Sequence, residues 1–325
     1  MKKLLWALTG LIAVGTLAWM AQRNAEWNEA LALMQRLDWR VLVLAVGAAL
    51  AARLMDAIRW KLLLPKEHVS TARLFLVRNT GQGVNVLSPL KALSEITGTV
   101  MLRFGNDIRA DKVVSSLLLT RLLDMLFTVS LVGVGLIILP QLAGFRPVVA
   151  SLWAVIFAVF VAIVLLSKWI QRVPRIMRIA GLSQLIQSMH LASSRGRIML
   201  ACVALTATAW MSIGVAAWLV AQAAGIDMPL WLVSIVIIAV TVLTSLTPAA
   251  TGAVGIYEFV TISTLGLFAI DPTVALTFAL VIHAVLFLPP LLIGTAVLSV
   301  ERRTLGRVWA TLTSAVSSKR PENTI

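Results

Sequence analysis

The chain is poor in the residues that soluble enzymes use most for chemistry and cross-linking. It has one cysteine, Cys202, one tyrosine, Tyr257, and three histidines far apart in sequence, His68, His190 and His283. A single cysteine excludes an intrachain disulfide framework and a cysteine metal cluster. The three histidines show no metal-ligand spacing, so no metal and no other cofactor is expected. Charge is also scarce, at 13% of residues, with only 14 Asp and Glu against 28 Lys and Arg. No GxSxG, HExxH, acidic metal motif or nucleotide-binding P-loop pattern occurs. A lipid-modifying transferase would need a nucleophile with its base, a metal cluster or a donor-binding domain. None is visible, and the expectation is a protein that is not an enzyme.

What the chain has instead is apolar length. Hydrophobic residues make up 59% and the mean hydropathy is +0.94. Several uninterrupted runs approach or exceed the roughly 20 residues that cross a bilayer. A net charge of +14 in a soluble chain would suggest nucleic acid. Here the cations cluster in short loops between apolar runs, which is the positive-inside pattern with added attraction to anionic headgroups. The sequence therefore reads as one integral, all-α polytopic membrane domain over 1–325, partnered by membrane lipids and not by nucleic acid.

Met1-Lys2-Lys3 precedes a first span from Leu4 to Met20, with Trp6 and Trp19 as interface anchors. The rival reading of that run is a cleaved signal peptide ending near Ala18-Trp19-Met20-Ala21. An amphipathic outer helix over Gln22 to Arg40 closes the first segment, 1–40. The first half, 41–168, opens with a span from Val41 to Leu64. Arg53, Asp56 and Arg59 lie three apart in it and form one polar stripe. An unpaired Arg53 at depth costs about 2.5 kcal/mol or more, so Arg53 and Asp56 are expected to form a structural charge pair.

A broken stretch follows, Leu74 to Gly105, interrupted by Gly81, Gly83, Asn85 and Pro89 and carrying Lys91, Glu95 and Arg103. Its halves are too short for one ordinary span, and a re-entrant hairpin over 74–103 is expected. The span from Val113 to Leu139 carries Arg121 and Asp124. Another span covers Val148 to Lys168, and a basic cytoplasmic loop covers 169–197. The second half, 198–300, holds spans at Ile198–Gln222 and Thr273–Val300, the latter with His283 and Pro289-Pro290 inside it.

Between those spans a second hairpin is expected over 230–270. It opens as an apolar helix and breaks at Leu246-Thr247-Pro248. Small residues with Gly252 and Gly255 follow, before Tyr257 and a lone Glu258. Proline strains a continuous helix, and broken backbone inside a bilayer needs protein or a watery cavity around it. A carboxylate beside such a break is a site by default. The tail is 301–325. Counting cations then gives six full spans, both termini in the cytoplasm of a cell whose cytoplasmic (inner) membrane holds the chain, and two hairpins entering from opposite sides. Oppositely oriented related elements meeting at the midplane are a transporter signature, an inverted repeat. Glu95 precedes Arg121 by 26 positions and Glu258 precedes His283 by 25, which echoes a duplicated half.

Two blocks carry a family resemblance. One is Asn85-x-x-x-Pro89-x-Lys91-x-x-x-Glu95 with the later Arg121-x-x-Asp124. The other is Pro248-x-x-x-Gly252-x-x-Gly255-x-x-Glu258. Together, across about Val41 to Val300, the chain resembles the flippase-like family typified by the transmembrane region of lysylphosphatidylglycerol synthases. Ser94 stands where that family usually has Gly before the Glu, and His283 lies near where a second span-embedded Arg is common. The resemblance implies movement of lipids between leaflets.

The leading expectation is thus a flippase for a phospholipid or polyprenyl-type anionic lipid. Asn85, Lys91, Glu95, Arg103, Arg121, Asp124, Glu258 and His283 are the substrate-binding candidates, and Pro89, Pro248, Gly252 and Gly255 mark the hairpin breaks. The alternative is a non-catalytic membrane subunit or scaffold serving a lipid-synthesis or lipid-modifying enzyme.

Overall fold

The computed structural model describes residues 27–64, 67–87, 93–140, 196–246 and 254–301, with 306 and scattered positions between 144 and 158. The run Leu4–Met20, most of the Val148–Lys168 span, nearly all of the basic loop and the tail lie outside the described residues. Nine main helices follow in order among the described residues: α1 (Trp27–Arg36), α2 (Trp39–Leu63), α3 (Thr71–Leu87), α4 (Leu93–Asn106), α5 (Ala110–Ile138), α6 (Gly196–Ala223), α7 (Leu230–Leu246), α8 (Ile256–Gly266) and α9 (Pro272–Val300). No described residue is in a strand.

The helix starts are written locally. Asp38 accepts from the Arg40 amide at 2.9 Å and starts α2. Asp271 accepts from the amides of Thr273 and Val274 and starts α9, where Pro272 presets the first turn. α2, α5, α6 and α9 are each long and apolar enough to cross a membrane. The helices between them are shorter: 17, 14, 17 and 11 residues for α3, α4, α7 and α8. At 1.5 Å per residue they reach about 16 to 26 Å, less than a hydrocarbon core of about 30 Å. The chain is an integral membrane protein built from long apolar helices and shorter ones between them.

α3 and α4 run antiparallel. A Cβ added to Gly81 would lie 2.7 Å from the Ser94 carbonyl oxygen, Gly98 faces Val77, and Gly105 faces the Arg73 guanidinium. α9 crosses the other side of α3 just as closely. Gly83 faces the Pro290 carbonyl at 2.6 Å, Gly294 faces Thr80 at 3.1 Å, and Arg73 ion-pairs with Glu301 at the end of the seam. Lipid supplies no hydrophobic drive between helices, so small residues that let backbones approach carry this packing. The Arg73 guanidinium also donates to Asn106 at 3.2 Å, which ties the ends of α3, α4 and α9 together.

Two four-helix units repeat the same order. α2–α5 and α6–α9 each read long, 17, short, 29 residues. The turns before α5 and α9 each contain a non-glycine residue at positive φ, Asp107 and Ala269. The contacts repeat too. α2 packs on α3 as α6 on α7, α3 on α4 as α7 on α8, α4 on α5 as α8 on α9, and α3 on α9 as α7 on α5. The equivalent helices α2 and α6 pack on each other across the centre. Arg59, late in α2, meets Thr206, early in α6, whereas Ala45 and Ala49 share a core with Ala216 and Val220. The central pair therefore runs antiparallel. α1 lies outside this scheme and packs on α9, where Ala30 and Leu276 are buried together.

Candidate functional site

α4 and α8 each carry a glutamate in the first turn, Glu95 and Glu258. In the second unit Glu258 is 2% exposed. One carboxylate oxygen accepts from the Gly255 amide at 2.6 Å, which caps α8, and the other meets His283 Nδ1 at 2.5 Å. Gly255 sits at φ 87°, a conformation that only glycine adopts freely. The His283 ring lies 4.7 Å from the Tyr257 ring and 4.4 Å from Phe287, so aromatic walls enclose the pair. The buried Tyr257 hydroxyl has no hydrogen-bond partner among the described residues.

The first unit makes the matching contact on its own next long helix. Arg121 donates to one oxygen of Glu95 through Nε at 3.0 Å and Nη2 at 2.7 Å. The other Glu95 oxygen, buried, has no partner among the described residues. The residues whose spacing echoed a duplicated half thus meet in each unit, 26 and 25 positions apart. They differ in the cationic partner, a planar guanidinium in the first unit and an imidazole in the second.

Deeper in the bundle, charges from three helices converge, joined by polar groups of a fourth. Arg59 donates from Nη1 to Asp124 at 2.7 Å and to Thr206 at 2.6 Å. Its Nη2 donates to Asp56 at 2.5 Å and to the second Asp124 oxygen at 3.0 Å. Arg78 takes the other Asp56 oxygen from Nε at 2.6 Å, and its guanidinium lies 5.6 Å over the Trp60 ring. Trp210 Nε1 approaches Asp124 at 3.4 Å. α2, α3 and α5 supply the charges, and α6 supplies Thr206 and Trp210.

This corrects the expected Arg53–Asp56 pair. Asp56 is ion-paired with Arg59 and Arg78, and Arg53 makes no ion pair within 4 Å among the described residues. The reason is directional. Helical side chains lean toward the N-terminus, so Arg59 leans back onto Asp56 while Arg53 leans away from it. Arg53 remains in the field of Asp56, Arg78 and Asp124.

Asp124 belongs to this deeper cluster, one turn along α5 from Arg121. Arg103 does not join either group. It occupies the last turn of α4, exposed beside Phe104, about 12 Å along the axis from Glu95. Asn85 falls in the last turn of α3, next to the break. Pro89, Lys91, Pro248 and Gly252 lie outside the described residues.

Arg78, Thr206 and Trp210 are the residues the sequence reading missed, and it gave Arg59 no role beyond the polar stripe. Arg78 had a signal, a cation directly after the apolar run Leu74–Val77 of α3. Thr206 and Trp210 had none, because their role depends on which helix lies beside α2. No group of His, Cys, Asp and Glu able to hold a metal occurs among the described residues.

Neither the curated proteins nor the solved structures compared with the chain give a match. A family model does match, over residues 6–294, described as the lysylphosphatidylglycerol synthase TM region. That span takes in all nine helices but for α9's last turns, together with both glutamate–cation pairs and the buried arginine cluster. The chain belongs to the family of the lysylphosphatidylglycerol synthase transmembrane region.

Proposed function

We propose that this protein moves a phospholipid or polyprenyl-type lipid with an anionic headgroup from one membrane leaflet to the other, without chemical change to it. The observation that carries the reading is the placement of charge. Buried acids and arginines sit where two short-helix units meet long apolar helices, at positions where hydrocarbon makes charge costly. Ionisable groups at depth mark pathways more often than scaffolding.

In this reading α3–α4 and α7–α8 are re-entrant hairpins and the two units form an inverted repeat. The equal helix lengths, the matching contacts and the antiparallel α2–α6 pair support that arrangement. Each hairpin begins its second arm with a glutamate held by the next span, so movement of a hairpin would expose or close that polar point. The acyl chains remain in hydrocarbon while the headgroup passes along the polar side of α2, α3 and α5. The protein supplies no bond-breaking step, and an ion gradient, a partner or the lipid gradient supplies the drive.

Reconstitution tests this directly. Purified protein in vesicles carrying a headgroup-labelled phosphatidylglycerol should equalise the label between leaflets faster than empty vesicles, with the lipid recovered unchanged. Labels that stay in one leaflet, or a lipid that is converted, would overturn the reading.

A further inference from the structure

We propose that Arg53, Arg59 and Arg78 form a binding site for one phosphate-type oxyanion, held between α2, α3 and α5. The cluster holds three guanidiniums and only two carboxylates, Asp56 and Asp124. Arg121 is committed to Glu95 and Lys112 to Glu67, while Lys61, two residues from the end of α2, donates to the carbonyls of Glu67 and Val69. Within the cluster, among the described residues, guanidiniums therefore exceed carboxylates by one.

The surplus falls on Arg53. It is half-buried, ten residues from the end of α2, and makes no hydrogen bond among the described residues. The Arg59 side chain, 2% exposed, has a buried Nε–H that is also without a partner among them. Arg53 and Arg78 repel each other. An oxyanion between two guanidiniums replaces that repulsion with two attractions. A phosphodiester fits because it carries one negative charge and presents two free oxygens to planar N–H forks.

The ligand is defined by its chemistry, which a lipid headgroup and a free phosphate share. The lipid source rests on the proposed function, but the site itself does not. The test is therefore binding in detergent, where no leaflets exist, with the full chain and two probes, inorganic phosphate and dioctanoyl phosphatidylglycerol. Uncharged dioctanoylglycerol is the control.

Wild-type protein is expected to bind at least one anionic probe and not the control. Arg53→Gln should weaken that binding at least tenfold while melting at or above the wild-type temperature without ligand, since it removes an unmatched charge. Arg53→Lys, which keeps the charge, should retain binding within severalfold and shows that lost affinity is not lost folding. Phosphatidylglycerol outcompeting phosphate identifies a lipid headgroup, and the reverse order identifies a soluble anion. Unchanged affinity in Arg53→Gln, equal binding of the uncharged control, or unfolding of both Arg53 variants would overturn the site. Absence of lipid movement in vesicles with binding intact would overturn the transport reading alone.

Discussion

Asp56 offers two oxygens, and two arginines from two helices each take one. Removing its charge leaves Arg59 and Arg78 facing each other in a buried place. Loss of one partner of a buried ion pair costs about 3–5 kcal/mol. Asp56→Asn should therefore lower folded yield sharply, measured as monodisperse protein in detergent, and Asp56→Asn combined with Arg78→Gln should recover part of it. Equal yields for wild type and the single variant would show that Asp56 is not the anchor its geometry implies.

Glu258 makes a different kind of test. Gln at this position keeps an oxygen for the Gly255 amide, so the start of α8 survives, but it cannot form an ion pair with His283. Within hydrogen-bonding reach of that imidazole, Glu258 is the one acid among the described residues, and α7 carries no charge at all. Glu258→Gln should abolish lipid movement or flatten its pH dependence at near-normal folded yield. A wild-type pH profile in reconstituted Glu258→Gln would end that idea.

The helices show how closely the packing is specified. An alanine at Gly83 would put its Cβ 2.6 Å from the Pro290 carbonyl oxygen, and backbone on both sides leaves little room to yield. Overpacking of this kind costs about 1–3 kcal/mol. Gly47, in the middle of α2, has open space around the same added atom. Gly47→Ala should gain about 0.5–1 kcal/mol from helix propensity alone. Thermal unfolding of the two variants side by side should therefore move in opposite directions.

At this scale the sequence was informative. The stretches expected as short helices, Leu74 to Gly105 and residues 230–270, hold α3, α4, α7 and α8. The glutamates and the later cations whose spacing suggested a duplicated half meet as Glu95–Arg121 and Glu258–His283. Spacing could not reveal what Arg59 holds, because its partners Asp124 and Thr206 lie 65 and 147 positions away. Contacts within one helix or one hairpin are written in the local pattern. Contacts between units depend on which surfaces meet, and apolar helices with little facial bias do not say which.

For the molecule as a whole, the proposed inverted arrangement makes a labelling prediction. Arg109, just before α5, and Leu267, just after α8, are both exposed and lie in the corresponding turns of the two units. In a Cys202→Ser background, Arg109→Cys and Leu267→Cys should react with an impermeant thiol reagent from opposite faces of the membrane. Reaction of both from one face would replace the inverted arrangement with a direct one. Membrane class was legible from apolar run length alone. The pairing of α2 with α6, which sets how the units face each other, was not, since it depends on small residues such as Ala45, Ala49, Ala216 and Ala217 meeting across the middle.

That central pairing has a consequence for how the architecture could have arisen and what keeps it as it is. Two copies of one four-helix unit could meet through the same helix and make a symmetric dimer. The present chain cannot be read that way, because Arg59 reaches across the junction to Thr206, and Asp124 meets both Arg59 and Trp210. Gln222, in the last turn of α6, donates instead to the Ile226 carbonyl within its own unit. The junction is keyed by charge from one side only. Two first units brought together would each present an Arg59 with no Thr206 and no Trp210 to receive it. Co-expressed as separate pieces, the two halves should therefore seek each other and reject their own kind, a fixed handedness that a symmetric assembly lacks.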